Sequence, residues 1–207
     1  MNFDFTLPIV GILRGFSTPR VREIIHSCLR GGLRHLEITM GSANTPEQIR
    51  LARDIAGDRM SIGAGTVLNI ELLEKAVEAG ATFIVTPIVN VDVIAECVRR
   101  KIPVFPGAYT PTEILNAWEL GATMVKVFPA DTLGPGYIKA IKAPLPQVKL
   151  MPTGGVDLKT ISAYKKAGAD GFGIGSPLFD RARVEAADWD WVEAQCRALV
   201  QAYLSRV

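Results

Sequence analysis

Three ionisable residues occupy positions where a buried strand wants apolar ones. Lys126 lies between Val125 and Val127, Glu37 between Leu36 and Ile38, and Arg14 directly follows Ile12 and Leu13. Neighbouring residues of a strand point to opposite faces, so aliphatics turned towards a helical layer send the three charges to the other face, inside the fold. An isolated charge in a protein interior costs several kcal/mol unless it is partnered, so the three together imply mutual pairing or a ligand. Taken singly, each also reads as half of a structural salt bridge. Taken jointly, at the ends of strands, they form a plausible catalytic set. A lysine amine attacks a ketone only after shedding its proton; burial beside Arg14 moves Lys126 in that direction and Glu37 opposes the move. A protonated imine withdraws electrons from a neighbouring carbon–carbon bond, and a carboxyl group such as Glu37 can carry the protons that cleavage requires.

Glycine-rich turns follow several apolar runs. Thr153-Gly154-Gly155 and Gly175-Ser176 come after the last two, where glycine lets backbone N–H groups approach an oxyanion closely. Either turn alone is also an ordinary tight turn. As a pair they point to a phosphate site. Gly63-Ala64-Gly65-Thr66 offers amides and a hydroxyl suited to a carboxylate, although a plain strand-to-helix turn has the same composition.

The elements that must position these groups alternate along the chain. Eight short apolar, often β-branched runs read as strands: 8–13, 35–39, 60–64, 82–86, 103–105, 123–127, 148–151 and 171–174. Between them lie segments with helical spacing, such as Leu72, Leu73, Ala76 and Val77 after Asn69, or Leu158, Ile161 and Tyr164 after Asp157, with Asn and Asp as candidate N-caps. A small-residue step recurs between helix and strand at Gly31-Gly32, Gly80-Ala81, Gly121-Ala122 and Gly168-Ala169. Glycine takes the left-handed conformation there at little steric cost, so each step predicts a helix cap. Its recurrence suggests a doubled βα unit of roughly 50 residues. The expected fold is α/β, a single (β/α)8 TIM barrel over residues 1–207. An open doubly wound sheet is the competitor, and no Gly-x-Gly-x-x-Gly after the first strand favours it.

The 23 basic and 21 acidic residues leave a formal charge of +2 and are interspersed, so neither a nucleic-acid nor a membrane footprint is expected. A small diffusible partner is expected instead. Cys28, Cys97 and Cys196 are odd in number, far apart and within helical segments, which argues against a disulfide framework. His26 and His35 lie near no cysteine or carboxylate motif, so a metal site is not expected. The first residues show no basic segment followed by a long apolar one, and the chain is expected to be cytoplasmic.

In order along nearly the whole chain stand Leu36-Glu37-Ile38-Thr39, Gly63-Ala64-Gly65-Thr66-Val67-Leu68, Thr86-Pro87, Pro106-Gly107, Lys126-Val127-Phe128-Pro129-Ala130, Pro152-Thr153-Gly154-Gly155 and Gly175-Ser176. With these segments the sequence resembles the KDPG/KHG aldolases, class I enzymes acting on 2-keto-3-deoxy-6-phosphogluconate or 4-hydroxy-2-oxoglutarate. The resemblance implies that Lys126 forms the Schiff base, that Glu37 shuttles protons, and that no cofactor or metal takes part. It also implies that Thr66 helps hold the pyruvate carboxylate, that Pro87 and Phe128 shape the pocket, and that Thr153, Gly154, Gly155, Gly175 and Ser176 lie at the phosphate. Many members of that family carry an arginine four residues after the glutamate, where Gly41 stands here. Arg14 is then the candidate carboxylate clamp, because a guanidinium can offer two parallel hydrogen bonds. That combination is similar to the 2-dehydro-3-deoxy-6-phosphogalactonate aldolase branch, with the gluconate epimer as second choice. The family also implies a homotrimer, although for Trp189, Trp191 and Tyr203 of the last helix core is the favoured reading over interface. A phosphosugar epimerase or isomerase, or a silent phosphosugar-binding protein, would keep the glycine loops; neither would need an imine at Lys126.

Overall fold

A computed structural model describes residues 3–205. The elements run β1 (Ile9–Leu13), α1 (Thr18–Arg30), β2 (His35–Thr39), α2 (Thr45–Ala56), β3 (Ser61–Gly65), α3 (Ile70–Glu78), β4 (Ile84–Val85) and α4 (Val91–Arg99). They continue with β5 (Val104–Phe105), β6 (Gly107–Ala108), α5 (Pro111–Glu119), β7 (Val125–Val127), α6 (Gly134–Lys142), β8 (Leu150–Pro152), α7 (Ile161–Lys166), β9 (Phe172–Ile174), α8 (Arg181–Glu185) and α9 (Trp189–Leu204). Each expected apolar run overlaps a strand, with β3 and β8 ending one residue later than expected.

The strands do not form the single closed ladder of eight that defines the expected TIM barrel. They pair in parallel in two sheets, a six-stranded one in the order β5-β4-β3-β2-β1-β9 and a three-stranded one in the order β6-β7-β8. The extra strand and the break share a local cause at Pro106, which separates β5 from β6 and has no N–H to donate. β5 pairs with β4, whereas β6 pairs with β7. At the other margin β8 ends on Pro152, and the bridge from Thr153 to Gly173 stands outside the regular ladders.

Both faces of the sheets are buried, which is why the strands read as almost continuous apolar runs. One face, including Ile9, Leu36, Ile62, Val104, Val125 and Leu150, packs in the main core with the helices. The alternate positions gather Phe3, Val10, Phe83, Val85, Phe105, Met124 and Met151 into a second cluster. Trp189, Trp191 and Tyr203 of α9 pack, partly buried, against the main core. Cys28 and Cys196 are free buried thiols with their Sγ atoms 3.8 Å apart, across α1 and α9.

Helix ends follow the expected chemistry, with one addition. The Asn69 side chain caps α3 by accepting from the Leu72 N–H, while Asp157 caps the turn ahead of α7 by accepting from the N–H groups of Lys159 and Thr160. Past α3, Gly80 has φ +93°, and the N–H groups of Gly80 and Ala81 donate back to Val77 and Ala76. The same bond pair closes α4, where Lys101 takes φ +58° and Lys101 and Ile102 donate to Val98 and Cys97. A lysine therefore fills this cap position, and the glycine signal is missing there.

His35 lies fully buried in β2, with Nε2 3.0 Å from the Asp4 carbonyl and its ring stacked on Phe3 at 3.9 Å. Burial pulls its pKa from 6.5 down to about 4. A histidine with a depressed folded-state pKa gives stability that is complete above the unfolded value and is lost as pH falls from about 6.5 through about 4. Urea titrations at pH 7 and pH 4.5 should therefore show a loss of about 2 kcal/mol that a folded His35→Gln variant lacks. An identical pH slope in both proteins would show that the imidazole is not its source.

Candidate active site

Glu37 is the third residue of β2 and Lys126 the second of β7, so the two come from different sheets. Their neighbours Leu36, Ile38, Val125 and Val127 are turned into the main core, which leaves Glu37 and Lys126 on the opposite face. Register places Glu37 beside Ile12 and Gly63, and Lys126 beside Gly107 and Met151. Both are buried, at 1% and 5% exposure. Neither joins an ion pair among the described residues. Oε2 of Glu37 has no hydrogen-bond partner, and Nζ of Lys126 sits 5.1 Å from the centre of the Phe128 ring. An orphaned carboxylate oxygen in the interior is costly, and a water or ligand group there would relieve it.

Burial sets the charge state of both groups. It pushes the Glu37 pKa up, opposed first by the Lys126 charge and then by Arg14. It pushes Lys126 down, opposed by Glu37 and reinforced by Arg14. Each group is thus drawn towards its neutral form, the form in which an amine is nucleophilic and a carboxyl can donate a proton.

Room for these side chains comes from missing ones. A Cβ on Gly65 would lie 2.3 Å from Oε1 of Glu37, and one on Gly173 would lie 2.3 Å from Oγ1 of Thr153. A Cβ on Gly107, next to Lys126 in register, would meet the carbonyl carbon and oxygen of Pro87 at 2.4 Å.

The other sequence-derived candidates all follow the C-terminal ends of parallel strands, hence one end of the sheets. Thr66 comes directly after β3 with φ +59°, a strained conformation for a β-branched residue. Pro87 follows β4, and the half-exposed Phe128 follows β7. Thr153 is buried, and its carbonyl accepts from the Ala130 N–H, tying the Thr153-Gly154-Gly155 turn to the loop beyond Lys126. The N–H groups of Gly155 and Ser176 have no acceptor among the described residues. Gly175 and Ser176 line a cavity of about 310 Å³ together with Ile12, Arg14, Phe16, Phe179 and Arg181. Arg14 departs from expectation: β1 ends at Leu13, so Arg14 lies beyond the ladder and is exposed at the cavity rather than buried with Glu37 and Lys126. Arg181 was not among the sequence candidates. Among the described residues no group of three or more His, Cys, Asp or Glu side chains is placed to hold a metal.

Residues 5–195 match the aldolase family described as KDPG and KHG aldolase. The 2-dehydro-3-deoxy-6-phosphogalactonate aldolase of Escherichia coli is 36% identical over 180 residues, covering 86% of this chain and 88% of that protein. A solved structure described as native KDPGal superposes with a TM-score of 0.90 at 33% identity, over 98% of this chain and 97% of that one. The KDPG aldolase of Legionella pneumophila, with pyruvate captured as a covalent carbinolamine intermediate, gives a TM-score of 0.83 at 25% identity over 93% of each chain.

The contact between Gly65 and Glu37 is testable. The clash in Gly65→Ala falls on the mobile end of a side chain, so thermal stability should change little while the carboxylate is displaced. A misplacement of about 1 Å typically costs on the order of 100-fold in rate. Turnover should fall by that order with pyruvate imine formation retained; unchanged turnover would show that Glu37 tolerates displacement.

Proposed function

Because this chain belongs to the KDPG and KHG aldolase family, we propose that Lys126 is its Schiff-base residue and Glu37 its proton carrier. The protein is a class I aldolase, a carbon–carbon lyase, that splits a 2-keto-3-deoxy-6-phospho sugar acid into pyruvate and glyceraldehyde 3-phosphate. The observation that carries the residue assignment is the buried, ion-pair-free Lys126 amine facing the same interior as a buried carboxyl with an orphaned oxygen. An epimerase or a silent binding protein gives no reason to bury that amine.

In this mechanism neutral Lys126 attacks the C2 carbonyl, and loss of water leaves a protonated imine. Glu37 accepts the C4 hydroxyl proton as the C3–C4 bond breaks, the bonding electrons move into the imine, and the aldehyde departs. Glu37 then returns a proton to C3, and water releases pyruvate from Lys126. Arg14 and Thr66 hold the carboxylate, Pro87 and Phe128 shape the pocket, and Thr153, Gly154, Gly155, Gly175 and Ser176 receive the phosphate. Free amides at Gly155 and Ser176 support that last assignment. Gly41 in place of an arginine favours the galactonate-type acid, with the gluconate epimer second. The enzyme works on a small acid, not on a nucleic acid or a membrane, and no helix among the described residues is long and apolar enough to cross a membrane. We place it in the cytoplasm as one domain over residues 1–207. We also propose a homotrimer: Leu68 and Ile88 on two loops and Ile70 and Val91 at the starts of α3 and α4 are exposed side by side, joined where Asn90 Nδ2 donates to the Leu68 carbonyl.

Borohydride reduction in the presence of pyruvate tests the assignment. It should add one reduced pyruvate per chain on the peptide carrying Lys126, and Lys126→Met should lose both label and cleavage. Label elsewhere, or cleavage surviving Lys126→Met, would refute it.

The pH profile supplies a second, signed test. Imine formation should rise with pH through an apparent pKa below the ordinary 10.5 of lysine. Removing the Arg14 charge in Arg14→Ala should move that limb to higher pH, and removing the Glu37 charge in Glu37→Gln should move it lower. Shifts of the opposite sign would mean that these charges do not govern the amine.

A further inference from the structure

Arg181 opens α8, shortly after the Gly175-Ser176 turn. The N–H groups of Leu178 and Phe179 donate back to the Gly175 carbonyl, and Phe179 is buried, so the chain returns over the end of β1. There the Arg181 guanidinium is held by backbone and ring rather than by an acid. Nη2 donates to the carbonyls of Arg14 at 3.3 Å and Gly15 at 3.4 Å, and Cζ lies 5.0 Å from the centre of the Phe16 ring.

Among the described residues Arg20, Arg30, Arg34, Arg99, Arg100, Arg183 and Arg197 each pair with a carboxylate. Arg181 and Arg14 have no such partner among the described residues, yet both line the cavity of about 310 Å³ that contains Gly175 and Ser176. The acid next to Arg181 in sequence, Asp180, is engaged by the Arg183 N–H as the cap of α8. The uncompensated Arg181 guanidinium beside the Ser176 amide and hydroxyl suits a doubly charged tetrahedral oxyanion, which a guanidinium can grip through two parallel bonds. The two arginines also divide by position: the Arg14 charge acts on both Glu37 and Lys126, which puts it towards the reacting end and leaves Arg181 for the far end of the substrate.

We propose that Arg181 binds the substrate phosphoryl group and sets the preference for a phosphorylated over an unphosphorylated acid, an assignment that rests on the aldolase function above. Arg181→Met keeps the apolar stem over Phe16, and Arg181→Lys restores the charge without the fork. A hydrogen bond to a charged group is worth about a 10- to 100-fold change in affinity. The kcat/KM for the phosphorylated acid should accordingly fall ~10- to 100-fold in Arg181→Met, mainly through KM, and recover in part in Arg181→Lys. The unphosphorylated acid should react as before, and the yield of borohydride-trapped pyruvate should match the parent protein, which also shows that the variant is folded. Calorimetric titration with inorganic phosphate should weaken in parallel. Equal losses for the phosphorylated and unphosphorylated acids, or phosphate binding indifferent to Arg181, would overturn the proposal. If phosphate binding depends on Arg181 but the parent protein traps no pyruvate, the anion site stands and the aldolase assignment fails.

Discussion

Lys126 and Glu37 are buried on one interior face without forming an ion pair, and much of the surrounding structure answers to that constraint. A close salt bridge would satisfy both groups and also lock the amine in its protonated, unreactive form. Burial without direct pairing leaves the amine able to shed its proton. Arg14, at the exposed end of β1, pushes the same way from outside the strand ladder, where water bears most of the cost of its own charge.

The inner face divides into a filled half and an open half. Phe3, Phe83, Phe105, Met124 and Met151 fill one part with large side chains. Towards the strand C-termini the packing residues give way to glycines at 65, 107 and 173, whose missing Cβ atoms are what Glu37, the Pro87 backbone and Thr153 need for their close approach. The same framework thus packs large side chains at one end and makes room for Glu37 and Thr153 at the other, and the Thr153-Gly154-Gly155 and Gly175-Ser176 turns extend from strands that are themselves fully buried.

The break at Pro106 is part of this arrangement. By ending the ladder with β4 and starting another with β7, it sets Gly107 rather than a bulky residue beside Lys126. The Pro106 carbonyl still accepts from the Lys126 N–H at 2.9 Å, so the strand carrying Lys126 is anchored at the interruption itself. Loss of ladder continuity at that point costs few hydrogen bonds, because proline had no donor to contribute.

The sequence by itself determined the alternation of elements, the helix caps at Asn69 and Gly80, and the two charges in apolar strands, because each follows from local periodicity or from one residue's conformational preference. Family resemblance then suggested the roles proposed for Lys126 and Glu37. Ladder closure was not legible, since it depends on which distant backbone donors meet, and Pro106 and Pro152 remove donors at the two margins. The cap at Lys101 was hidden because a lysine there carries no left-handed signal. Arg14 was expected to face inward, but where β1 stops is fixed by pairing with its neighbours β2 and β9. The contact of Arg181 with Arg14 and Gly15 joins opposite ends of the chain, and that of Gly65 with Glu37 exists only once β2 and β3 are in register. Tertiary structure decided these features because each depends on the distance between residues far apart in sequence, which no local preference encodes.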